Sequence, residues 1–320
     1  MAKGSSTRRP PVRRRPGSTR PARGRQAPAA AAPHPTWIGG ARLRTLPLAV
    51  APVLLGTGAV WSQRIEGRYW LAFLALAVSL LLQIGVNFAN DYSDGVRGTD
   101  AYRVGPPRLT ASGRVRPRTV LTVALVCFGL AAVAGLAIVL VTQQWWLLAV
   151  GAAAIAAAWF YTGGRRPYGY AGLGELVVFL FFGLAATVGT AYVITGTVND
   201  VAWFCAVGIG CIASAVLVVN NLRDIDQDRA AGKRTLSVRI GSRASRVLYG
   251  VLMLVPFGIA AWLALVYPEA WLTLLVLLVA LPAVIITATA KTARELVLAL
   301  SLSGITALLY GLVLSFGLSF

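Results

Sequence analysis

The sequence has almost none of the side chains on which most zinc and redox chemistry depends. Among 320 residues there are one histidine and three cysteines. The histidine, His34, lies in a basic N-terminal stretch, so chemistry that needs a buried imidazole is excluded. Cys127, Cys205 and Cys211 each lie in an apolar stretch, with the spacing of neither a zinc site nor a redox pair. We therefore expect the cysteines to be small packing residues.

Charge is also scarce, and acidic residues are the rarer sign. Only 13% of residues are charged, against about 25% in soluble domains. Hydrophobic residues make up 57% of the chain, and its mean hydropathy is +0.70. These values predict an integral membrane protein. The formal net charge of +19 is explained by where the basic residues lie, so no nucleic-acid partner is expected.

The first 36 residues lack large apolar side chains. They are rich in Arg, Pro, Ala and Gly, with nine Lys or Arg in the first 25 positions. Such a composition cannot bury a core and predicts disorder. No short apolar segment with a cleavage site follows a brief basic start, so a secretory signal is not indicated. We expect residues 1–36 to be a cytoplasmic tail that touches anionic lipid, and residues 37–320 to form a transmembrane domain.

Long apolar segments recur after the tail. A transmembrane helix needs about 20 predominantly apolar residues, and nine segments meet this requirement. The sequence therefore predicts an all-α polytopic membrane protein with nine transmembrane helices. The segments cover roughly residues 43–61, 70–90, 119–141, 145–162, 172–195, 201–221, 246–266, 270–289 and 296–318.

Basic residues are concentrated on one side of this predicted bundle. Apart from Arg64 and Arg68, every Lys or Arg lies in residues 1–44, in an inner loop or at a loop edge. This asymmetry is what the positive-inside rule describes. It predicts a multi-pass protein of the cell membrane with its N-terminus and polar loops in the cytoplasm. The inner loops are 91–118, 163–171, 222–245 and 290–295.

Two polar runs stand at the cytoplasmic ends of predicted spans. Asn220, Asp224 and Asp228 are spaced i, i+4, i+8, which on a helix places them along one face. Amide and carboxylate oxygens without His or Cys favour a hard cation such as Mg²⁺ over zinc. The other run has a similar spacing, and its polar positions are Asn87, Asn90, Asp91 and Asp94.

A basic loop follows each polar run. Magnesium usually binds through one or two carboxylates together with substrate phosphates, and Arg pairs well with phosphate oxygens. The two runs and their loops therefore predict one shared site for a diphosphate. The alternative is that these acids and bases form solvated salt bridges at the membrane surface. The basic candidates are Arg97, Arg103, Arg108, Arg114, Arg223, Arg229, Lys233 and Arg234.

These runs resemble the two aspartate-rich motifs of the UbiA superfamily of intramembrane prenyltransferases, N-D-x-x-D-x-x-x-D and N-x-x-x-D-x-x-x-D. The second motif is complete. The first departs at its last position, which is Gly98, and Asp100 is a candidate substitute. The stretches NDYSDGVRGTD, RVGPPRLTASG, YTGGRRPYGYAGLGE and NNLRDIDQDRAAGKRTLSVRIG are similar to the menaquinone branch, the 1,4-dihydroxy-2-naphthoate polyprenyltransferases.

The resemblance implies a fold of nine helices around a central cavity, and a Mg²⁺-dependent reaction. In that reaction a polyprenyl group leaves its diphosphate for an aromatic acceptor. In this branch the acceptor is 1,4-dihydroxy-2-naphthoate, which loses its carboxyl group to give demethylmenaquinone. The implied partners are the polyprenyl diphosphate, the acceptor and the lipid bilayer; the oligomeric state is not indicated.

The resemblance also assigns residue roles. Arg165 is included because Tyr161-x-x-x-Arg165 is similar to a Tyr-x-x-x-Lys element of the family, and Asp91 is a candidate base. Tyr92, Phe160 and Tyr161 are candidates for facing an allylic cation. The implied metal ligands are Asn90, Asp91, Asp94, Asn220, Asp224 and Asp228. The implied substrate contacts are Asn87, Asn90, Arg97, Arg108, Asn220, Arg223, Lys233 and Arg234. The implied catalytic residues are Asp91, Asp94, Tyr161, Arg165, Asp224 and Asp228.

Three other functions compete with this hypothesis. A family member with another acceptor, such as 4-hydroxybenzoate, would carry the same motifs. An ion-coupled transporter would place its acids near the middle of a span, whereas here they lie at span ends. A phosphatidyltransferase of the CDP-alcohol type would need a D-G-x-x-A-R start, and Asp94-Gly95 is followed by Val96-Arg97-Gly98.

Overall fold

The computed structural model describes Met1, residues 34–99 and residues 108–320, and every element in these ranges is helical. The predicted tail falls almost entirely outside the described residues. The α-helices are α1 Trp37–Ala41, α2 Pro47–Trp61, α3 Leu71–Arg97, α4 Pro117–Thr142, α5 Leu147–Phe160, α6 Gly174–Val178, α7 Ala186–Thr195, α8 Asp200–Arg223, α9 Ile225–Ala230, α10 Leu236–Leu263, α11 Leu277–Thr289 and α12 Ala293–Ser319.

Shorter helical pieces join some of these elements. A π-helix at Phe179–Ala185 links α6 to α7. The 3-10 helices are Leu43–Thr45 after α1, Tyr168–Ala171 before α6, and Pro268–Val276 before α11.

The molecule is a multi-pass membrane protein. Within the described ranges, seven helical segments are long and apolar enough to cross a bilayer. An eighth is added if Trp37–Thr45 and Pro47–Trp61, which meet at 44°, form one bent span. The remaining predicted segment corresponds to α5, an apolar helix of only 14 residues. Length and composition therefore support seven or eight crossings, and the count of nine stays a prediction.

Helix α8 is the central helix of the bundle. Of its most apolar window 72% is buried, against 28–44% for the other long spans. Glycines allow this close packing, as is common between membrane helices. A Cβ on Gly208 would lie 2.5 Å from Tyr310 Oη, and a Cβ on Gly183 would lie 2.6 Å from Gly210 Cα. The π-helix thus contacts α8 backbone to backbone.

Helix α3 continues past its apolar part and carries the first polar run on its last three turns. It ends at Gly98, whose left-handed backbone (φ 72°) forms the C-cap and bonds back to the carbonyls of Asp94 and Gly95. Glycine adopts this conformation without strain. The last position of the first motif therefore caps a helix and has no side chain to offer a cation. Asp100 lies outside the described residues.

Helix α8 delivers the second polar run differently. It ends at Arg223, and Asp224 has non-helical torsions (φ −98°, ψ 10°) before the short helix α9 begins at Ile225. The amide of Asp228 still donates to the carbonyl of Asp224 at 2.8 Å. The i, i+4, i+8 positions therefore stay close together across a local break, rather than along one straight helix.

Candidate active site

A polar cavity of about 60 Å³ lies where the two polar runs meet. Its walls come from the ends of α3 and α8, from α9, and from the loops before α6 and α10. Eight of the sequence-predicted site residues line it: Asn90, Asp94, Arg108, Tyr161, Asn220, Asp224, Asp228 and Lys233.

Lys233 links the two runs electrostatically. Its Nζ donates to Asp94 Oδ1 at 3.1 Å and lies 3.9 Å from Asp228 Oδ1. The lysine and Asp94 are both buried. Its backbone amide also bonds to the carbonyl of Asp228 at 2.8 Å. One ammonium group therefore contacts a carboxylate of each run.

Tyr170, which sequence reasoning missed, lies between the same groups. Its hydroxyl donates to Asp94 Oδ1, and its ring lies 4.6 Å from Lys233 Nζ and 5.5 Å from Arg97 Cζ. Burial and the nearby Asp94 charge raise the pKa of Tyr170 well above its usual value. The phenol therefore stays protonated and serves as a hydrogen-bond donor.

Asp224 is held by the residue before it. Arg223 donates Nε and Nη2 to the two Asp224 carboxylate oxygens at 2.7 and 2.5 Å. Both side chains are buried. Arg223 does not line the polar cavity, and its guanidinium orients Asp224; the substrate contact expected of Arg223 stays a prediction.

Asp91 does not reach the cavity either. It is fully buried, and its two carboxylate oxygens accept the backbone N–H groups of Leu109 and Thr110 at 3.0 and 2.8 Å. Gly95, one turn later, allows this segment to pack on α3, because a Cβ there would lie 2.4 Å from Thr110 Cγ2. Asp91 therefore anchors the segment that follows Arg108, and the metal and base roles expected from sequence stay predictions.

The two asparagines of the first run also differ in position and in hydrogen-bond partners. Asn90 lines the polar cavity, and its Oδ1 accepts a hydrogen bond from Thr162 Oγ1 at 2.7 Å. Asn87 lies three residues earlier and instead donates Nδ2 to Ala41 O and Thr45 Oγ1. Asn87 therefore lies outside the lining of the polar cavity.

Three of the basic residues to which the resemblance assigns a role are exposed and do not line the polar cavity: Arg97, Arg165 and Arg234. Arg97 donates to the carbonyls of Thr162 and Gly164. The amide of Arg234 bonds to Tyr170 O at 2.9 Å. Their described contacts thus tie loops together. Arg165 is exposed and outside the cavity lining, so the phosphate contact expected of it stays a prediction.

Further polar residues line the cavity without having been predicted. Asn221 and Gln227 adjoin motif positions, which is a usable signal. Thr162 and Tyr170 lie in a loop already notable for its similarity to the family, but no spacing rule marks them. Arg42 looked like an ordinary basic residue before a span. These polar residues are Arg42, Thr99, Thr162, Tyr170, Asn221, Gln227 and Thr235, and Gly169 lines the cavity beside them.

The oxygen donors around the polar cavity are of the type that binds a hard cation. Three carboxylates, those of Asp94, Asp224 and Asp228, line one small cavity with the amides of Asn90 and Asn220. Oxygen donors of this type suit Mg²⁺. Among the described residues, no three His, Cys, Asp or Glu side chains are already gathered at ligating distance. Magnesium sites completed by phosphate and water need fewer protein ligands.

A second cavity of about 500 Å³ adjoins the polar one and has mostly apolar walls. Its lining comes chiefly from α2, α3, α4, α5, α7 and α8. Four residues line both cavities and so mark their junction: Arg42, Asn90, Tyr161 and Asn220. A ligand with a charged head and a long apolar chain matches this pair of cavities.

Comparisons with known proteins agree with this geometry. The model of the UbiA prenyltransferase family matches residues 49–297. A 1,4-dihydroxy-2-naphthoate octaprenyltransferase of Mycobacterium tuberculosis is 47% identical over 285 residues, covering 89% of this chain and 97% of that protein. The Escherichia coli protein of the same name is 37% identical over 226 residues, covering 68% and 72%.

Solved structures share the fold. A UbiA homolog from Aeropyrum pernix aligns with a TM-score of 0.64 at 14% identity, covering 84% of this chain and 96% of that one. A UbiA homolog from Archaeoglobus fulgidus bound to DMAPP and Mg²⁺ aligns at 0.56 with 16% identity, covering 87% and 98%. On these matches, the chain belongs to the UbiA prenyltransferase family.

Proposed function

We propose that this protein transfers a polyprenyl group from polyprenyl diphosphate to 1,4-dihydroxy-2-naphthoate, with loss of the acceptor carboxyl group, in menaquinone biosynthesis. The observation that carries the proposal is the pair of adjoining cavities, one polar and lined by both aspartate runs, the other apolar and about 500 Å³. The acceptor is suggested by the mycobacterial relative, which is 47% identical over nearly its whole length.

In this proposal the diphosphate binds in the polar cavity. Asn90, Asp94, Asn220, Asp224 and Asp228 would hold Mg²⁺ there. When bound, the cation would neutralise charge on the diphosphate and on the leaving group. The Archaeoglobus relative, which binds DMAPP and Mg²⁺, supports this choice of metal.

The protein's own cations would complete the diphosphate site. Lys233 and Arg108 line the polar cavity and would contact the phosphate oxygens. The ammonium group of Lys233, which donates to Asp94 in this structure, would hold a phosphate oxygen in the same cavity. Asp91 would fix the segment that begins at Arg108, through its two backbone hydrogen bonds.

Bond breaking would occur at the junction of the cavities. The bond between the allylic carbon and the diphosphate oxygen breaks, and the oxygen keeps the electron pair. Tyr161 lies at this junction, with its ring edge-to-face against Tyr168 at 5.6 Å. Its neutral aromatic face would stabilise the allylic cation. Phe160 is half exposed and is a poorer candidate for this role.

The apolar cavity would hold the prenyl chain. Its walls are mostly aliphatic side chains with small residues such as Gly135, Gly151 and Gly189. A chain of isoprene units buries apolar surface there and leaves the diphosphate in the polar cavity. We also propose that the bent α1–α2 pair and α5 complete nine crossings in the cell membrane, with both polar runs and the basic tail on the cytoplasmic side.

The function can be tested on the full-length protein purified in detergent. With Mg²⁺ and a polyprenyl diphosphate, we expect transfer to 1,4-dihydroxy-2-naphthoate, none to 4-hydroxybenzoate, and loss of transfer when EDTA removes the metal. Release of carbon dioxide should match product formed. Transfer to 4-hydroxybenzoate alone would show a family member with another acceptor, and metal-independent turnover would contradict the site.

A further inference from the structure

Polar side chains interrupt the wall of the otherwise apolar cavity along one face of α3. Ser79, Gln83 and Asn87 are spaced i, i+4, i+8 and all line that cavity. Gln83 is 5% exposed and Asn87 is 2% exposed. A hydrocarbon chain gains nothing from such groups, and burying an amide without a hydrogen-bond partner is costly. Their presence therefore indicates a ligand part that is not hydrocarbon.

Hydrogen bonds determine which way both amides face. Thr45 donates its single hydroxyl hydrogen to Arg42 O at 2.9 Å, so its oxygen can only accept further bonds. It accepts Gln83 Nε2 at 2.9 Å and Asn87 Nδ2 at 3.2 Å. Asn87 Nδ2 also donates to Ala41 O at 2.9 Å, and a carbonyl cannot donate. Neither amide can be flipped without losing these bonds.

The carbonyl oxygens of the two amides consequently take no part in these hydrogen bonds. In residues 34–99 and 108–320, the side-chain hydrogen bonds of Gln83 and Asn87 all leave from Nε2 and Nδ2, and none reaches Gln83 Oε1 or Asn87 Oδ1. Both atoms belong to residues of the apolar cavity wall. The wall thus offers two acceptors, beside the Ser79 hydroxyl and the second N–H of Gln83. The complementary ligand is a molecule with hydroxyl groups, because a hydroxyl donates where an ether, a quinone carbonyl or an alkyl chain does not.

These acceptors lie near the place where the reacting carbon of the prenyl diphosphate would be. Asn90 lies at the junction of the two cavities, where the prenyl diphosphate would be cleaved. At a helix rise of about 1.5 Å per residue, Asn87 lies about 4.5 Å and Gln83 about 10.5 Å along α3 from Asn90. A two-ring aromatic molecule lying along this face would have one edge next to the allylic carbon.

We propose that Gln83 and Asn87 form the acceptor subsite, in which their carbonyl oxygens accept hydrogen bonds from the ring hydroxyls of the reduced, dihydroxy aromatic acceptor. This inference rests on the proposed function and adds a specificity to it. The subsite selects hydroxylated rings over rings without hydroxyls. Asn87 is thereby a substrate-binding residue, as expected from sequence, but for the acceptor and not for the diphosphate.

The test uses the full-length protein in detergent with Mg²⁺ and saturating polyprenyl diphosphate. Gln83→Met keeps the length of the side chain and removes its acceptor. We expect the KM for 1,4-dihydroxy-2-naphthoate to rise about tenfold, the effect of one lost hydrogen bond to a buried group. The KM for the diphosphate should stay within about twofold. Leu81→Met, on α3 but outside the lining of both cavities, is the matched control and should change neither KM.

Competition with 2-naphthoate, which has neither hydroxyl, provides a readout that does not depend on a variant folding. Wild type should bind the dihydroxy acceptor at least about tenfold more tightly than 2-naphthoate, and Gln83→Met should reduce this ratio to about threefold or less. A wild-type ratio near one, or an acceptor KM unchanged in Gln83→Met, would overturn the subsite and leave water as the partner of these oxygens. Failure of wild type to prenylate the naphthoate at all would instead overturn the proposed function, and the subsite with it.

Discussion

The two aspartate runs have similar spacing in the sequence but divide their side chains differently in the structure. In the second run all three motif residues, Asn220, Asp224 and Asp228, line the polar cavity. In the first run only Asn90 and Asp94 do so. The other two members bond to protein: Asp91 to the backbone of the segment after Arg108, and Asn87 to Ala41 and Thr45.

The helices explain this difference. Helix α3 is continuous to Arg97 and is packed on several sides, so polar groups around its circumference must find protein partners. Helix α8 ends at Arg223, and the break at Asp224 turns the following residues toward one cavity. The first run therefore divides its side chains between bonds to neighbouring protein segments and the polar cavity, whereas all three motif residues of the second run line that cavity.

The largest expected effect comes from the aspartates that both runs present to the cavity. Asp94→Ala and Asp224→Ala should each lower kcat/KM by more than about 100-fold, because even residues that only support a metal ligand cost 10–100-fold when changed. Transfer measured across a Mg²⁺ titration checks this. Near wild-type turnover in both variants would mean that the cavity is not the metal site.

Asp91→Ala should lower the stability of the protein and leave its Mg²⁺ dependence unchanged. Two buried N–H groups would lose their acceptor, which predicts a loss of about 2–4 kcal/mol in stability. Thermal unfolding in detergent measures this loss. The KM for the diphosphate should rise because the segment beginning at Arg108 is released, while the Mg²⁺ concentration for half-maximal activity should stay unchanged. A large shift in that Mg²⁺ concentration would instead make Asp91 a ligand and the two runs alike.

Tyr170→Phe should have a moderate effect. It removes one hydrogen bond to the charged Asp94 but keeps the ring beneath Lys233. Hydrogen bonds to charged groups contribute about 1.5–3 kcal/mol, so kcat/KM should fall about tenfold or somewhat more. Tyr168→Phe, in the same loop, is the control and should leave kcat/KM nearly unchanged. Equal losses in the two variants would assign the effect to loop packing.

The smallest effect is expected at Arg165. Its side chain is exposed and does not line the polar cavity, so Arg165→Ala should leave the KM for the diphosphate within about twofold. Lys233→Ala, which removes a cation that does line the cavity, should raise that KM at least tenfold if one charge-assisted contact to phosphate is lost. Steady-state kinetics with varied diphosphate compares the two. A large effect at Arg165 would restore the role expected from its place in the motif.

The sequence predicted the all-helical membrane fold, and it predicted that residues of the two runs meet, as they do in the polar cavity. Long apolar segments and i, i+4 spacing are local signals. The sequence could not separate Asp91 from Asp94, since both lie on the same end of α3 and only the tertiary partner, the backbone at Leu109 and Thr110, distinguishes them. Tyr170 was missed for the same reason. Its contact with Asp94 joins residues 76 positions apart, and no spacing within the loop indicates it.

The central claim is that the two runs form one site, and a double-mutant cycle tests it most directly. Asp94→Asn and Asp228→Asn, singly and together, would be assayed for Mg²⁺-dependent transfer. Residues that share one network couple by about 0.5–3 kcal/mol, whereas distant residues act independently. We predict that the double variant is at most about tenfold worse than the poorer single variant. Losses that simply multiply would contradict a shared site.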